Sequence, residues 1–231
     1  EADQGAKLRF LVEPTNSPTE LRLRAEIKRR FPRAQFHVDS ATDDLAPLRS
    51  TQLAFGKAVR PLVDYARAKV ILALDSDFLH SEAGAVRASR QFADGRRLKS
   101  SKDSMSRLYA VEPTISTTGS NADHRYRLAA SQVGAFALAL AGELASKHGV
   151  DFGDLATAAK AAKAPAGSEK FLSGLAKDLT AKKGDAFVVV GSRQPAAVHA
   201  LGHAINQALG SAGTHVTHSA ATDSDEGMFS G

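Results

Sequence analysis

The chain has 231 residues, 43% of them apolar and 24% charged, with a formal net charge of +5 and no cysteine. That length suits one large α/β domain or two small ones burying roughly 70% of the extended-chain surface. The absence of cysteine excludes disulfides, zinc–thiolate centres, iron–sulfur clusters and thiol catalysis within these residues.

Residues 8–12 (L-R-F-L-V) read as a strand and 13–20 as the loop that ends it. Ser17 followed by Pro18 is an N-cap and first-turn pair, which predicts a helix to about Arg30, closed by Phe31-Pro32. Residues 35–38 (Q-F-H-V) alternate as a second strand, making a β-α-β unit that seeds a parallel sheet. Residues 45–65 show helical spacing at Leu48, Leu53 and Phe55, a break at Gly56, and a second short helical stretch through Leu62 and Tyr65. Residues 68–74 (A-K-V-I-L-A-L) form the near-continuous apolar run of a central parallel strand. It ends in Asp75-Ser76-Asp77, whose carboxylates suit either a metal or ribose contact or the cap of the next helix, which covers 83–92.

Residues 105–128 organise the chain. Arg107 to Val111 alternates as a strand, and Pro113 cannot donate to a ladder, so the strand ends near Glu112. The Thr, Ser, Gly and Asn loop that follows lies where ligands of doubly wound folds sit, beyond the carboxyl end of the strand, before a second short strand. The most regular helix begins at Ser131-Gln132, carries Val133, Phe136, Ala137, Leu140 and Leu144, and stops at Gly149. Residues 150–167 read as a small surface helix with a linker, 168–183 as another helix, and 186–190 (A-F-V-V-V) as the clearest strand. Gly191-Ser192-Arg193-Gln194-Pro195 then leads into a helix over 196–209, an order that can aim free N–H groups at an anion. Residues 214–218 alternate as a last strand.

Neither G-x-x-x-x-G-K-[ST] nor G-x-G-x-x-G occurs, and the nucleophile elbow G-x-S-x-G is missing. His199 and His203 are spaced for a metal on one helix face, but no H-E-x-x-H carboxylate completes them, so they read as a structural pair. Asp123-His124 has the composition of a proton-transfer pair, yet neighbours on a strand face opposite ways, which favours a structural role for at least one. The basic residues are scattered without stacking aromatics and read as solvated faces, so no nucleic-acid partner is expected. No run approaches the ~20 apolar residues of a membrane span, so no direct span is expected. The chain starts at Glu1 without a methionine and stops at Gly231, from which a longer parent subunit is expected.

The run A-K-V-I-L-A-L-D-S-D-F, then R-L-Y-A-V-E-P-T-I-S-T-T-G-S-N-A-D-H-R-Y-R-L and a helix with A-F-A-L-A-L, resembles the repeated α/β core of the molybdopterin oxidoreductase family. A-F-V-V-V-G-S-R-Q is similar to that family's next strand and loop. Within the family the chain most resembles the molybdopterin-like half of the B subunit of alternative complex III, a quinol-oxidising respiratory assembly. That narrower likeness rests on N-S-P-T, F-P-R-A-Q-F-H, A-F-G, L-D-S-D-F-L and the E-P-T-I-S-T-T-G-S-N-A-D-H-R loop, in this order.

The resemblance implies a Rossmann-like, mostly parallel sheet with helices on both faces, as in the central domains of the formate dehydrogenase and DMSO reductase superfamily. It implies one domain over residues 1–231, with a surface insertion or linker at 150–167. It further implies iron–sulfur clusters in a separate part of the subunit and, as partners, the other subunits of a membrane-bound respiratory complex. The place implied is the periplasmic side of the bacterial inner membrane, held there through those partners.

The chain departs from the family at Asp75-Ser76-Asp77, where a pterin-binding member has Gly-x-Asn, and at Glu112, which replaces an aspartate. Carboxylates there repel a pyrophosphate by ~1 kcal/mol or more each at close range. The expectation is a pocket of Asp75, Asp77, Glu112, Thr114, Asp123, Gly191, Ser192 and Gln194, inherited in shape, empty of pterin, and without catalytic or metal-binding residues. The alternative is an active domain carrying a molybdopterin guanine dinucleotide, with Ser40, Asp43 or Asp44 in place of the family's metal-ligating cysteine or selenocysteine.

Overall fold

The computed structural model describes residues 3–13, 15, 17–39 and 45–220. The first unit is β1 (Arg9–Val12), α1 (Pro18–Arg30) and β2 (Gln35–Val38), with β1 and β2 parallel and Arg9 opposite Gln35. Its helix starts where the sequence indicates: Ser17 Oγ accepts from the Glu20 N–H at 3.4 Å and Pro18 fills the first turn. No residue of α1 is buried.

Next come α2 (Ala46–Phe55), closed by Gly56 at φ 71°, and β3 (Val59–Val63). The second helical stretch expected through Leu62 and Tyr65 is instead this strand, paired antiparallel with β8 (Val216–Ala220). Spacing of three between Leu62 and Tyr65 imitates a helix, but Val59 and Val63 are β-branched and Pro61 lacks the N–H a helix interior needs. In a two-stranded ribbon the proline is tolerated because one side of the strand needs no partner.

The main sheet has four parallel strands in the order β6-β5-β4-β7: β4 (Val70–Leu74), β5 (Arg107–Glu112), β6 (His124–Arg127) and β7 (Ala186–Val190). Every residue of β4 is buried, as an apolar strand covered on both faces requires. Its side chains divide by the two-residue period. Val70, Leu72 and Leu74 enter a core with Phe136, Leu140 and Leu144 of α5 (Val133–His148), Leu175 and Leu179 of α7 (Glu169–Ala181), and Ile205 of α8 (Ala196–Leu209). Ile71 and Ala73 enter the opposite core with Tyr65, Phe78, Phe187 and Phe92, the last from α3 (Ala85–Gly95). The fold is therefore α/β, a parallel sheet flanked by helices.

Between β5 and β6 lies α4 (Thr117–Ser120), and between α5 and α7 lies α6 (Leu155–Ala161). The latter is more than a surface piece: Ala159 is fully buried, and a Cβ on Gly142 of α5 would collide with the Ala159 carbonyl.

Strand β7 is at the edge of the main sheet, and one side chain closes part of that edge. Asn206 of α8 accepts the Val188 N–H at 2.7 Å and donates to the Val188 carbonyl at 2.9 Å, pairing with the strand as another strand would. Asn206 is 3% exposed, so truncating it strands both backbone groups. Asn206→Ala is expected to destabilise the protein by about 2–4 kcal/mol in urea unfolding. A loss below about 0.5 kcal/mol would show that the edge is satisfied some other way.

Candidate functional site

The carboxyl ends of β4, β5 and β7 meet in a set of carboxylates already bound to the protein's own donors. After β4 the chain turns through Asp75 at φ 52°, left-handed and uncommon for a residue with a Cβ. Its N–H bonds the Val111 carbonyl at 2.7 Å, and the Gly191 N–H bonds the Leu74 carbonyl at 2.9 Å, so the turn is tied to both neighbouring strands. Gly191 must be glycine because a Cβ there would collide with the Asp75 carbonyl. The buried Gln194 side chain donates to Asp75 Oδ2 at 2.8 Å and to the Ala130 carbonyl at 3.3 Å.

Asp77 Oδ1 accepts from both the N–H and the hydroxyl of Thr118, each at 2.9 Å. At the end of β5, Glu112 is 3% exposed. Its Oε2 accepts from Ser116 Oγ at 2.6 Å and its Oε1 from Arg125 Nε at 2.5 Å, with the Ser116 N–H at 3.3 Å. Ser116 Oγ in turn accepts the Gly119 N–H at 2.9 Å. The first N–H groups around α4, where a phosphate would be received, are held by Asp77, Glu112 and Ser116. A Cβ at Gly119 would collide with the Glu112 carboxylate, so that space is filled too. The residues present do not fit the pyrophosphate of a pterin dinucleotide at this edge.

Of the residues singled out in the sequence, Asp75, Asp77, Glu112, Gly191, Ser192 and Gln194 belong to this end of the sheet. Thr114 follows β5 and is exposed. Asp123 is elsewhere: it holds Arg96 at 2.7 and 2.8 Å and accepts the Leu108 N–H at 2.8 Å, at the opposite end of β5. The Arg96 guanidinium lowers the Asp123 pKa. Its neighbour His124 stacks on Tyr109 at 4.6 Å between ring centroids, so the two residues do separate structural work. Ser40, Asp43 and Asp44 lie outside the described residues. Among the described residues no group of three or more His, Cys, Asp or Glu is placed to hold a metal ion.

Beside this edge lies a cavity of about 860 Å³, walled by β3, β7, α2, α3 and α8. Glu82, Tyr65, His199 and His203 line it, with Ser192 shared between cavity and strand-end loop. Burial raises the Glu82 carboxyl to about 7, against hydrogen bonds from Ser76 and the backbone of Asp77 and Ser192. Burial also lowers both His199 and His203 to about 4 and pushes the Tyr65 phenol up. The i, i+4 histidine spacing was the sequence signal for this place. No local pattern marks Glu82, which comes from the turn before α3 and reaches the cavity only through folding.

No protein-family model matches the chain, and no curated protein matches it. Among solved structures the chain is similar to the acetylene hydratase of Pelobacter acetylenicus, with 13% identity and a TM-score of 0.62 over 94% of this chain. The chain spans 31% of the length of that protein. At such identity the likeness is one of fold alone.

Two measurements follow from these contacts. Arg125→Ala leaves the Glu112 carboxylate buried without its cation and is expected to cost about 3 kcal/mol, whereas Arg125→Lys recovers part of the loss. Wild-type stability for Lys and Ala alike would refute the pairing. The second concerns pH. Below pH 6.5 the unfolded chain protonates His199 and His203 while the folded chain does not. Their contribution is thus full above 6.5 and lost as pH falls toward 4. Glu82 acts oppositely, its contribution full below 4.5 and lost as pH rises toward 7. Removing one histidine with His203→Leu should therefore flatten the stability–pH slope between 4.5 and 6.5 by up to ~1.4 kcal/mol per pH unit. Urea unfolding across that window reads the slope directly, and an unchanged slope would mean His203 is not held neutral.

Proposed function

We propose that the chain is a molybdopterin-oxidoreductase-like scaffold domain of a respiratory electron-transfer subunit, of the alternative complex III type, that binds no pterin. The observation that carries this reading is the self-occupied strand edge, where Asp77 and Glu112 hold the N–H and hydroxyl groups of Ser116 and Thr118. A pterin pyrophosphate would have to displace two carboxylates from charge-assisted or hydroxyl bonds and then sit against their charge. The sequence likeness at residues 105–128 and the fold likeness to acetylene hydratase support the family part of the proposal.

In this reading the domain's work is to present surfaces to other subunits of a membrane-bound respiratory complex on the periplasmic side of the inner membrane. Iron–sulfur clusters belong to another part of the subunit. Among the described residues no helix is long and apolar enough to cross a membrane, so association through partners is the proposed mode.

Metal analysis and pterin fluorescence on the full-length subunit, purified from its native host, test this. Less than a tenth of an equivalent of molybdenum or tungsten is expected, with no pterin fluorescence after oxidation. Stoichiometric metal together with a guanine-dinucleotide pterin would overturn the scaffold reading.

A further inference from the structure

We propose that the amino-terminal end of the main sheet is a docking face for an anionic lipid surface, with Lys99, Lys102, Lys182 and Lys183 meeting the headgroups and Leu98 and Met105 entering among them. Along the chain these residues lie in two distant stretches. The fold joins them, because residues 96–106 lead into β5 and residues 182–185 into β7. Lys69, before β4, ties the two together: its N–H bonds the Asp185 carbonyl and its carbonyl accepts the Arg107 N–H, each at 2.8 Å. Val70 lies opposite both Arg107 and Ala186, so the three strands start level.

The acids of these segments are spent on the protein's own donors. Asp123 holds Arg96, and Asp178 holds Arg107 and the Tyr109 hydroxyl. Asp94 lies 3.4 Å from Arg90 and 3.5 Å from Arg97, Asp64 lies 3.4 Å from Arg67, and Asp185 lies 3.3 Å from His215 Nε2. Asp103 turns back on its own loop, where it accepts the N–H groups of Lys99 and Ser100 at 2.7 and 2.9 Å. The four lysines are exposed, and among the described residues their ammonium groups have no partner. What faces outward is a positive surface with two aliphatic side chains in it, Leu98 at 53% and Met105 at 45% exposure.

That composition selects the partner. Nucleic acid is held by arginine forks and stacked on aromatic rings, but here Arg96 and Arg107 are engaged and the nearby rings of Tyr109 and Phe92 are buried. An acidic protein patch would take the charges and leave Leu98 and Met105 without apolar surface. A bilayer interface takes both, since lysine stems follow mobile headgroups while aliphatic side chains sink to the acyl boundary. The inference rests on these side chains alone and stands whether or not the domain is a scaffold.

The test is cosedimentation of the purified protein with phosphatidylcholine vesicles, with and without about one quarter phosphatidylglycerol, at low and high salt. Binding is expected only with phosphatidylglycerol, and salt should release it. Lys102→Gln with Lys183→Gln should weaken it roughly twenty-five-fold, about fivefold for each lysine. Arg127→Gln with Arg193→Gln removes the same charge from exposed positions at the other end of the sheet and should leave binding within about twofold of wild type. Leu98→Ser with Met105→Ser should weaken it about fivefold or more while leaving its salt dependence intact. No binding to the anionic vesicles, equal loss from the lysine and arginine pairs, or wild-type binding by the lysine pair would each overturn the proposal. Wild-type binding by the serine pair, or tighter binding to polyglutamate than to the vesicles, would assign the face to an acidic protein and overturn it too.

Discussion

A carboxylate that is 3% exposed at the end of a central strand must be paired, and the pairing of Glu112 organises everything beyond β5. Its two oxygens reach the next turn through Ser116 and the neighbouring strand through Arg125. That one group thus sets the start of α4, requires a glycine at 119, and clamps β6 onto β5. An ionised group in this place costs several kcal/mol in desolvation, which only charge-assisted bonds of good geometry offset. The same bonds consume the donors that a phosphate would use.

The opposite edge of the sheet shows a different solution to unmet hydrogen bonds. Among the described residues strand β7 has a strand partner only on its β4 side, and Asn206 takes a strand's place at Val188. Beyond Asn206 the edge opens on a cavity lined by both apolar side chains, such as Leu48 and Val190, and polar ones, such as Glu82, His199 and His203. The contrast is chemical. At the strand ends, carboxylates and hydroxyls saturate one another. Along the β7 edge, one amide side chain takes the place of a strand.

Much of this architecture was legible in the sequence where the physics is local. The Ser17-Pro18 cap, the alternation of residues 35–38, the apolar run ending at Leu74 and the glycines at 149 and 210 act within a few residues, and the elements lie where these signals put them. The strand at 59–63 is not legible locally because its spacing is ambiguous over so short a span, and its pairing with residues 216–220 is a long-range fact. Sequence alone groups Asp123 with the strand-end carboxylates because it belongs to the same loop. The chain, however, returns to the amino-terminal end of β5 before Asp123 is placed against Leu108 and Arg96.

By itself, the sequence determined most element types, the parallel α/β class and the presence of acidic residues at the carboxyl ends of strands, since propensity, capping and hydrophobic period are properties of neighbours along the chain. Only the tertiary structure decided what those acids do. Whether a carboxylate repels a ligand, caps a turn or pairs with a cation depends on donors brought from 13 or 41 residues away, as Arg125 and Thr118 are to Glu112 and Asp77. The stretch 105–128 therefore remains the centre of the fold, with its acids turned inward upon its own backbone.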